Sequence, residues 1–415
     1  MIKPDNLQES KHYKWLLVAL LWFVALLNYL DRQMLSTMKP SMQIDIAELQ
    51  TAENFGILMA IFLWIYGFMS PVSGMIADKI NRKWLIVMSL FVWSAVTYFM
   101  GYATTFSQLK WLRGIMGVSE AVYIPAALSL IADFHDSKTR SLAVGIHMTG
   151  LYMGQALGGF GATVAATYSW QLTFHWFGIA GIVYSAILIF FLREKRRKIY
   201  NNELAQSASL PVFKGLSVLL SNISFWVILF YFAVPSLPGW AAKNWLPTLF
   251  SESLHIDMSQ AGPLSTITIA VSSFIGVIAG GLLSDKWVQR NIRGRVYTSA
   301  IGTFLMIPSL LLLGFGSTLE TLLASAFLFG IGFGMFDANN MPILCQFVPA
   351  RYRATAYGLM NMTGVFFGAF ITDFLGKSTD AGNLGRDFGV MAVVVLFILI
   401  IQLTFLKPKA HDFSD

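Results

Sequence analysis

Long apolar runs, separated at fairly even intervals by short polar turns, cover almost the whole chain. A helix needs about 20 mostly apolar residues to cross the hydrocarbon core of a bilayer. Reading for such runs predicts twelve spans, at 14–37, 53–77, 84–102, 107–132, 139–167, 171–193, 222–250, 259–284, 295–315, 319–347, 353–375 and 386–406. The longest hydrophilic interruption runs from Arg193 to Lys214. It opens with Arg193, Glu194, Lys195, Arg196, Arg197 and Lys198 and continues in Asn, Gln and Ser. The expected architecture is an all-α membrane protein of two six-helix bundles, residues 1–193 and 216–415, joined by a cytoplasmic linker at 194–215. No other polar stretch is long enough to bury a core of its own, which excludes a soluble regulatory domain.

Charge sets the orientation. Only 12% of the 415 residues are charged, against roughly 25% in soluble domains. Of the 29 Lys and Arg, 22 fall at the N-terminus, at the C-terminus or in every second loop. By the positive-inside rule those regions are cytoplasmic, so both termini are expected inside. Arg32 and Arg113 lie within spans, and Lys39, Lys110, Lys243, Lys377 and Arg386 are assigned to the outside. The first apolar run, Trp15 to Leu30, leads into Asp31 and Arg32 rather than a small-residue cleavage site, so it is taken as a span and not a signal peptide. The net charge of +7 is spread between apolar runs rather than gathered on one face, which argues against nucleic acid.

The other residue types exclude several chemistries. Cys345 is the only cysteine, so neither an internal disulfide nor a cysteine metal cage can form. The six histidines, His12, His135, His147, His175, His255 and His411, are scattered without metal-ligand spacing. An enzyme with a convergent nucleophile or metal set is therefore not expected, nor is a cofactor other than an ion gradient.

The two halves repeat. Gly74, Asp78, Arg82 and Lys83 after the second span are echoed by Gly281, Asp285 and Arg290 after the eighth, the first two 207 positions on. Glu120 precedes Pro125 by five residues in the fourth span, and Asp337 precedes Pro342 by five in the tenth. Gly145, His147 and Gly150 match Gly358, Asn361 and Gly364 with one residue of slip. Parallel repeats about an axis along the membrane normal are a transporter plan, with the solute site at the repeat interface.

The set Gly74, Asp78, Arg82 and Lys83 resembles the loop signature of the major facilitator superfamily. Within it, Asn28 through Arg32, then Arg113, Gly117, Glu120 and Pro125, and Asn244 through Pro247 resemble the anion:cation symporter family, which includes hexuronate and aldonate transporters. The resemblance implies a twelve-helix facilitator fold and alternating access. It further implies that acidic residues at these motif positions take up protons, and that Tyr29, Tyr66, Gln155 and Asn361 match sugar-acid-binding positions.

Four ionisable groups, Asp31, Arg32, Arg113 and Glu120, stand inside apolar runs. Each costs about 2.5–3.5 kcal/mol at a helix centre unless it faces a cavity or finds a partner. Desolvation disfavours a buried carboxylate and a nearby arginine favours it, a balance that solute arrival can tip. Asp31, Glu120 and Asp337 are therefore candidate proton-coupling groups. Candidate solute contacts are Tyr29, Arg32, Tyr66, Arg113, Gln155, Trp245 and Asn361; Asp78, Arg82 and Lys83 are candidate gating residues that join helix ends across the bundle. Pro235, Pro238 and Pro247 are expected to kink the seventh span beside a cavity. Trp240, near that break, is assigned to the interfacial belt.

The expected function is proton-driven uptake of a small sugar-derived solute by a monomer in a bacterial inner membrane. The two arginines favour a sugar acid. An uncharged sugar, amino sugar or disaccharide is the alternative, with Arg113 neutralised by Glu120 and Arg32 by Asp31; a static ion-pair role for the buried charges and a non-transporting membrane sensor also remain open.

Overall fold

The computed structural model describes residues 11–135, 139–194, 217, 219–349 and 352–408. The linker expected at 194–215 lies almost wholly outside them. Among the described residues the chain is helical, with no strand. In chain order the helices are α1 (Lys11–Thr37), α2 (Lys39–Asp45), a short 3-10 turn (Ala47–Gln50), α3 (Ala52–Lys79), α4 (Arg82–Met100), α5 (Phe106–Ala121), α6 (Tyr123–Phe134), α7 (Arg140–Gly158), α8 (Gly161–Thr167), α9 (Trp170–Phe191), α10 (Ile223–Leu254), α11 (Met258–Val288), α12 (Gly294–Phe315), α13 (Leu319–Phe347), α14 (Arg353–Asp380) and α15 (Leu384–Phe405).

Local sequence sets many of the boundaries. Thr51, Asn81, Ser169 and Thr318 each accept a hydrogen bond from a first-turn amide of α3, α4, α9 and α13, satisfying a donor that the helix itself cannot. Thr105 and Gln108 form a reciprocal capping box at the start of α5. The expected fourth span is interrupted at Val122, between α5 and α6. Pro125 explains the break: its ring crowds the carbonyl four residues earlier, on Ala121. The expected fifth span becomes α7 and α8, parted at Gly159 and Phe160.

Among the described residues eleven helical segments are long and apolar enough to cross a membrane. The twelfth is α7 with α8, whose polar positions, among them His147, Thr149 and Gln155, dilute its hydropathy. Packing compensates: Gly154 lies so close to the Leu26 carbonyl of α1 that no Cβ fits, and Trp22 Nε1 donates to Thr149 Oγ1 at 2.8 Å. Close backbone approach through small residues is how helices associate where lipid removes the hydrophobic drive. Large apolar side chains point outward instead, with Phe190 77% and Phe315 70% exposed. Surfaces of that kind are stable against lipid and not against water.

The chain divides into two compact units, one of Met1–Lys198 with Asp257–Ile267, the other of Ile199–Ile256 with Thr268–Asp415. Within the first, α1 packs on α7, α3 on α5, and α4 on both α5 and α9. Within the second, α10 packs on α14, and α12 on α13 and α15, while Gly276 of α11 meets the backbone of Ile331 on α13. The same pairs recur at repeat-related positions, as the sequence echoes imply. Tyr231, Phe336, Ile343, Leu344 and Met360 form the centre of an apolar core in the second unit.

Candidate functional site

In the first unit, three helices bring the buried charges together. One face of α1 carries Asn28 and Arg32, a turn apart, and both side chains reach α5: Asn28 Nδ2 donates to Glu120 Oε2 at 2.9 Å and Arg32 Nε to the same oxygen at 2.6 Å. Glu120 is fully buried, and its other oxygen has no hydrogen-bond partner. Asp31 points differently. Its Oδ2 accepts from Thr97 Oγ1 of α4 at 3.2 Å, while Oδ1 is buried and unpartnered. Each of the two carboxylates therefore keeps one oxygen to which a proton can add.

Helix α3 supplies an aromatic partition. Phe62 and Tyr66 are one turn apart, and the Arg32 guanidinium lies 4.7 Å from the Phe62 ring, 4.8 Å from Tyr66 and 5.1 Å from Tyr29. Arg113 lies 4.5 Å from the same Phe62 ring. Two guanidinium groups thus share one ring, an arrangement in which aromatic faces offset desolvation. Their other partners differ. Arg32 is ion-paired with Glu120. Arg113, 3% exposed, donates to the Leu58 carbonyl at 3.4 Å and to the Met116 sulfur at 3.1 Å, and none of the ion pairs among the described residues includes it. The pairing considered from sequence, Arg113 with Glu120 and Arg32 with Asp31, is replaced by one in which Arg32 occupies Glu120. Asp31 lies in the field of both Glu120 and Arg113, so the cluster is electrically coupled and formally neutral.

Other sequence candidates fall at varied distances from this centre. Gln155 is buried on α7, next to the Gly154 contact with α1. His147 is fully buried on the same helix, edge-on to Tyr123. Arg82 pairs with Asp133 of α6 and donates to the Ser129 carbonyl. Lys83 Nζ donates to the Ile189 carbonyl at the end of α9 at 2.7 Å. These bonds tie helix ends together inside the first unit. The side chain of Asp78, the third candidate gating residue, lies outside the described residues.

The second unit holds the counterpart positions. Asp337 on α13 is exposed in mid-span and accepts from Asn340 Nδ2 at 3.3 Å. Tyr231 on α10 bonds Ser299 at 2.6 Å and donates to Asn340 Oδ1 at 3.3 Å. Asn361 is half-buried on α14. Trp245 is fully buried and spends its indole N–H on the Thr372 carbonyl at 2.9 Å, which leaves no ring face for a solute in this structure. The helix that carries it, α10, continues through Pro235, Pro238 and Pro247 as one element.

Sequence reasoning assigned no role to Asn28, Phe62 or Thr97, which contact the buried charges. Asn28 stood in a quoted motif, and the spacing of Leu58, Phe62 and Tyr66 marks one face of α3. Thr97 carried no signal of its own.

Comparison with known proteins gives a consistent result. Residues 21–372 match the family model described as the Major Facilitator Superfamily. The probable galactarate/D-glucarate transporter GarP of Escherichia coli is 25% identical over 394 residues, covering 87% of each chain. The hexuronate transporter of the same organism is 24% identical over 436 residues, covering 97% of this chain and 96% of its own. A solved structure of a bacterial homologue of the human lysosomal transporter Spinster, in an inward-facing and unoccupied conformation, aligns with a TM-score of 0.81 at 19% identity over 98% of this chain and 99% of that one.

Proposed function

This chain belongs to the Major Facilitator Superfamily, a family of transporters, and from that premise we propose that it carries a sugar acid, such as a hexuronate or aldonate, into the cell together with protons by alternating access. Arg113 is the observation that supports the acid: a buried guanidinium that makes no direct ion pair among the described residues, beside an Arg32 already paired with Glu120. A buried cation balanced only through space by Asp31 and Glu120, with no carboxylate in direct contact, gains from a solute carboxylate that binds it bidentately. Glu120 and Asp31 are the proton carriers in this reading, each with a bare oxygen in the same electrostatic network. A solute carboxylate beside Arg113 offsets the field of that guanidinium at Glu120 and favours protonation of the acid, which couples the two fluxes. The names of the two Escherichia coli relatives agree with the solute class. Lysine and arginine placement favours both termini on the cytoplasmic side, the Escherichia coli relatives agree with a bacterial cytoplasmic membrane, and one monomer suffices for the cycle.

The neutral-sugar reading rests on exposed Asp337, an acid that repels a carboxylate. Uptake by proteoliposomes separates the two. Wild-type protein is expected to accumulate D-glucuronate, D-galacturonate or D-gluconate but not D-glucose, to lose accumulation with an uncoupler, and to bind the acid about tenfold or more weakly as Arg113→Gln, a loss of about 1.4 kcal/mol. Accumulation of the neutral sugar, unchanged in Arg113→Gln, would establish the other reading.

A further inference from the structure

Charge counting assigned Lys243 to the outside of the membrane, but it stands within α10, half-buried, eleven residues before the helix ends at Leu254. Its ammonium lies against two rings, 4.7 Å from the centroid of Trp240 and 5.7 Å from that of Phe333. Both rings are seated on glycine. The Phe333 ring fills the place where a side chain on Gly239 would stand, and the Trp240 indole fills the place of one on Gly368. Three helices, α10, α13 and α14, thus build one aromatic corner around one cation.

The acid facing that corner comes from the same helix as one of its walls. Phe333 and Asp337 are four residues apart, hence neighbours on one face of α13. Asp337 is the carboxylate on which Lys243 acts electrostatically. It is exposed, and the hydrogen bond it accepts comes from Asn340. Aromatic faces retain a cation without neutralising it. The acid that acts on it, Asp337, is exposed and not sealed in the core. A lysine ammonium is a compact point charge with three rotatable donors, which can turn from one anion to another.

We propose that Lys243 is a specificity-determining anchor for a solute carboxylate, which takes the place of Asp337 as its counter-ion. The proposal rests on the sugar-acid reading above and deepens it. It makes Asp337 a competitor of the solute: the acid that weakens binding of every carboxylate, and so tunes affinity, is the one that keeps Lys243 neutralised when the solute is absent. Gly239 and Gly368 then act by allowing the rings that position the ammonium.

Binding of D-glucuronate, D-galacturonate, D-gluconate, D-glucarate and D-glucose to the purified full chain, read as thermal stabilisation over a concentration series, tests it. Lys243→Gln is expected to weaken the acids about tenfold or more, the range of a lost charge-assisted contact, and Asp337→Asn to tighten them. The double variant Lys243→Gln with Asp337→Asn removes both charges together, leaves no uncompensated group, and is expected to bind as weakly as Lys243→Gln; it carries the test if the single variant fails to fold. Acid binding within about twofold of wild type in the double variant overturns the anchor while leaving the sugar-acid reading intact, provided that Arg113→Gln still loses it. Wild-type protein that none of the acids stabilises overturns both.

Discussion

Glu120 and Asp337 occupy matching places in the two repeats, each five residues before a proline, and the two units treat them in opposite ways. In the first unit the helix parts at Val122, Glu120 is sealed from water, and two side chains of α1 close on a single oxygen. In the second, α13 runs on through Pro342, and Asp337 remains exposed, accepts from one amide and lies in the field of one lysine. The helix pairings around them are the same. The comparison teaches that the scaffold is shared and the electrostatics are not. One unit stores a coupled, buried, neutral cluster; the other holds a single cation whose counter-ion is accessible.

The sharpest way to break this comparison is to delete both acids. Glu120→Ala strands a buried arginine and is expected to cost about 3–5 kcal/mol, seen as a lowered unfolding midpoint of the purified protein. Asp337→Ala, at an exposed position beside a half-buried lysine, is expected to cost less, about 1 kcal/mol or below. Equal losses would mean that the two acids are held alike, and the contrast drawn from burial would collapse. A smaller effect separates the two tryptophans of α10. Trp245→Phe loses one buried hydrogen bond, about 1 kcal/mol, with uptake kinetics unchanged, whereas Trp240→Leu removes one wall of the Lys243 corner and should weaken acid binding with little change in stability. Reversed roles would return Trp245 to the solute site.

Much of the first unit's centre was legible in the sequence because a charge inside an apolar run is rare and expensive. Asp31, Arg32, Arg113 and Glu120 were all marked by that rule, and they meet. Their pairing was not legible. Helical spacing joins Arg113 to Glu120 two turns away on one helix, but the contact that forms crosses from α1, and only the packed helices reveal it. Phe62 looked like any apolar residue of a span, since nothing in a hydrophobic pattern distinguishes a lipid-facing ring from one lying between two guanidinium groups. Lys243 was misplaced for a related reason. A lysine seven residues from the end of the predicted span 222–250 reads as an interfacial charge, and α10 runs four residues further, to Leu254. The prolines of α10 suggested a cavity beside Trp245, where the structure turns the indole into the core. The fifth span was recognised despite its polar residues, and its close contact with α1 explains why they are tolerated.

The central claim is that Glu120 links solute movement to proton movement. The most direct measurement is the internal pH of proteoliposomes, followed with a trapped dye, when D-glucuronate is added outside without a pre-existing proton gradient. The account predicts that wild-type protein acidifies the lumen as the acid enters. Glu120→Gln, which keeps an oxygen to receive Arg32 and Asn28, is expected to exchange labelled solute across the membrane with no pH change. Solute-dependent acidification at the wild-type rate in Glu120→Gln would contradict the account and move coupling to another group.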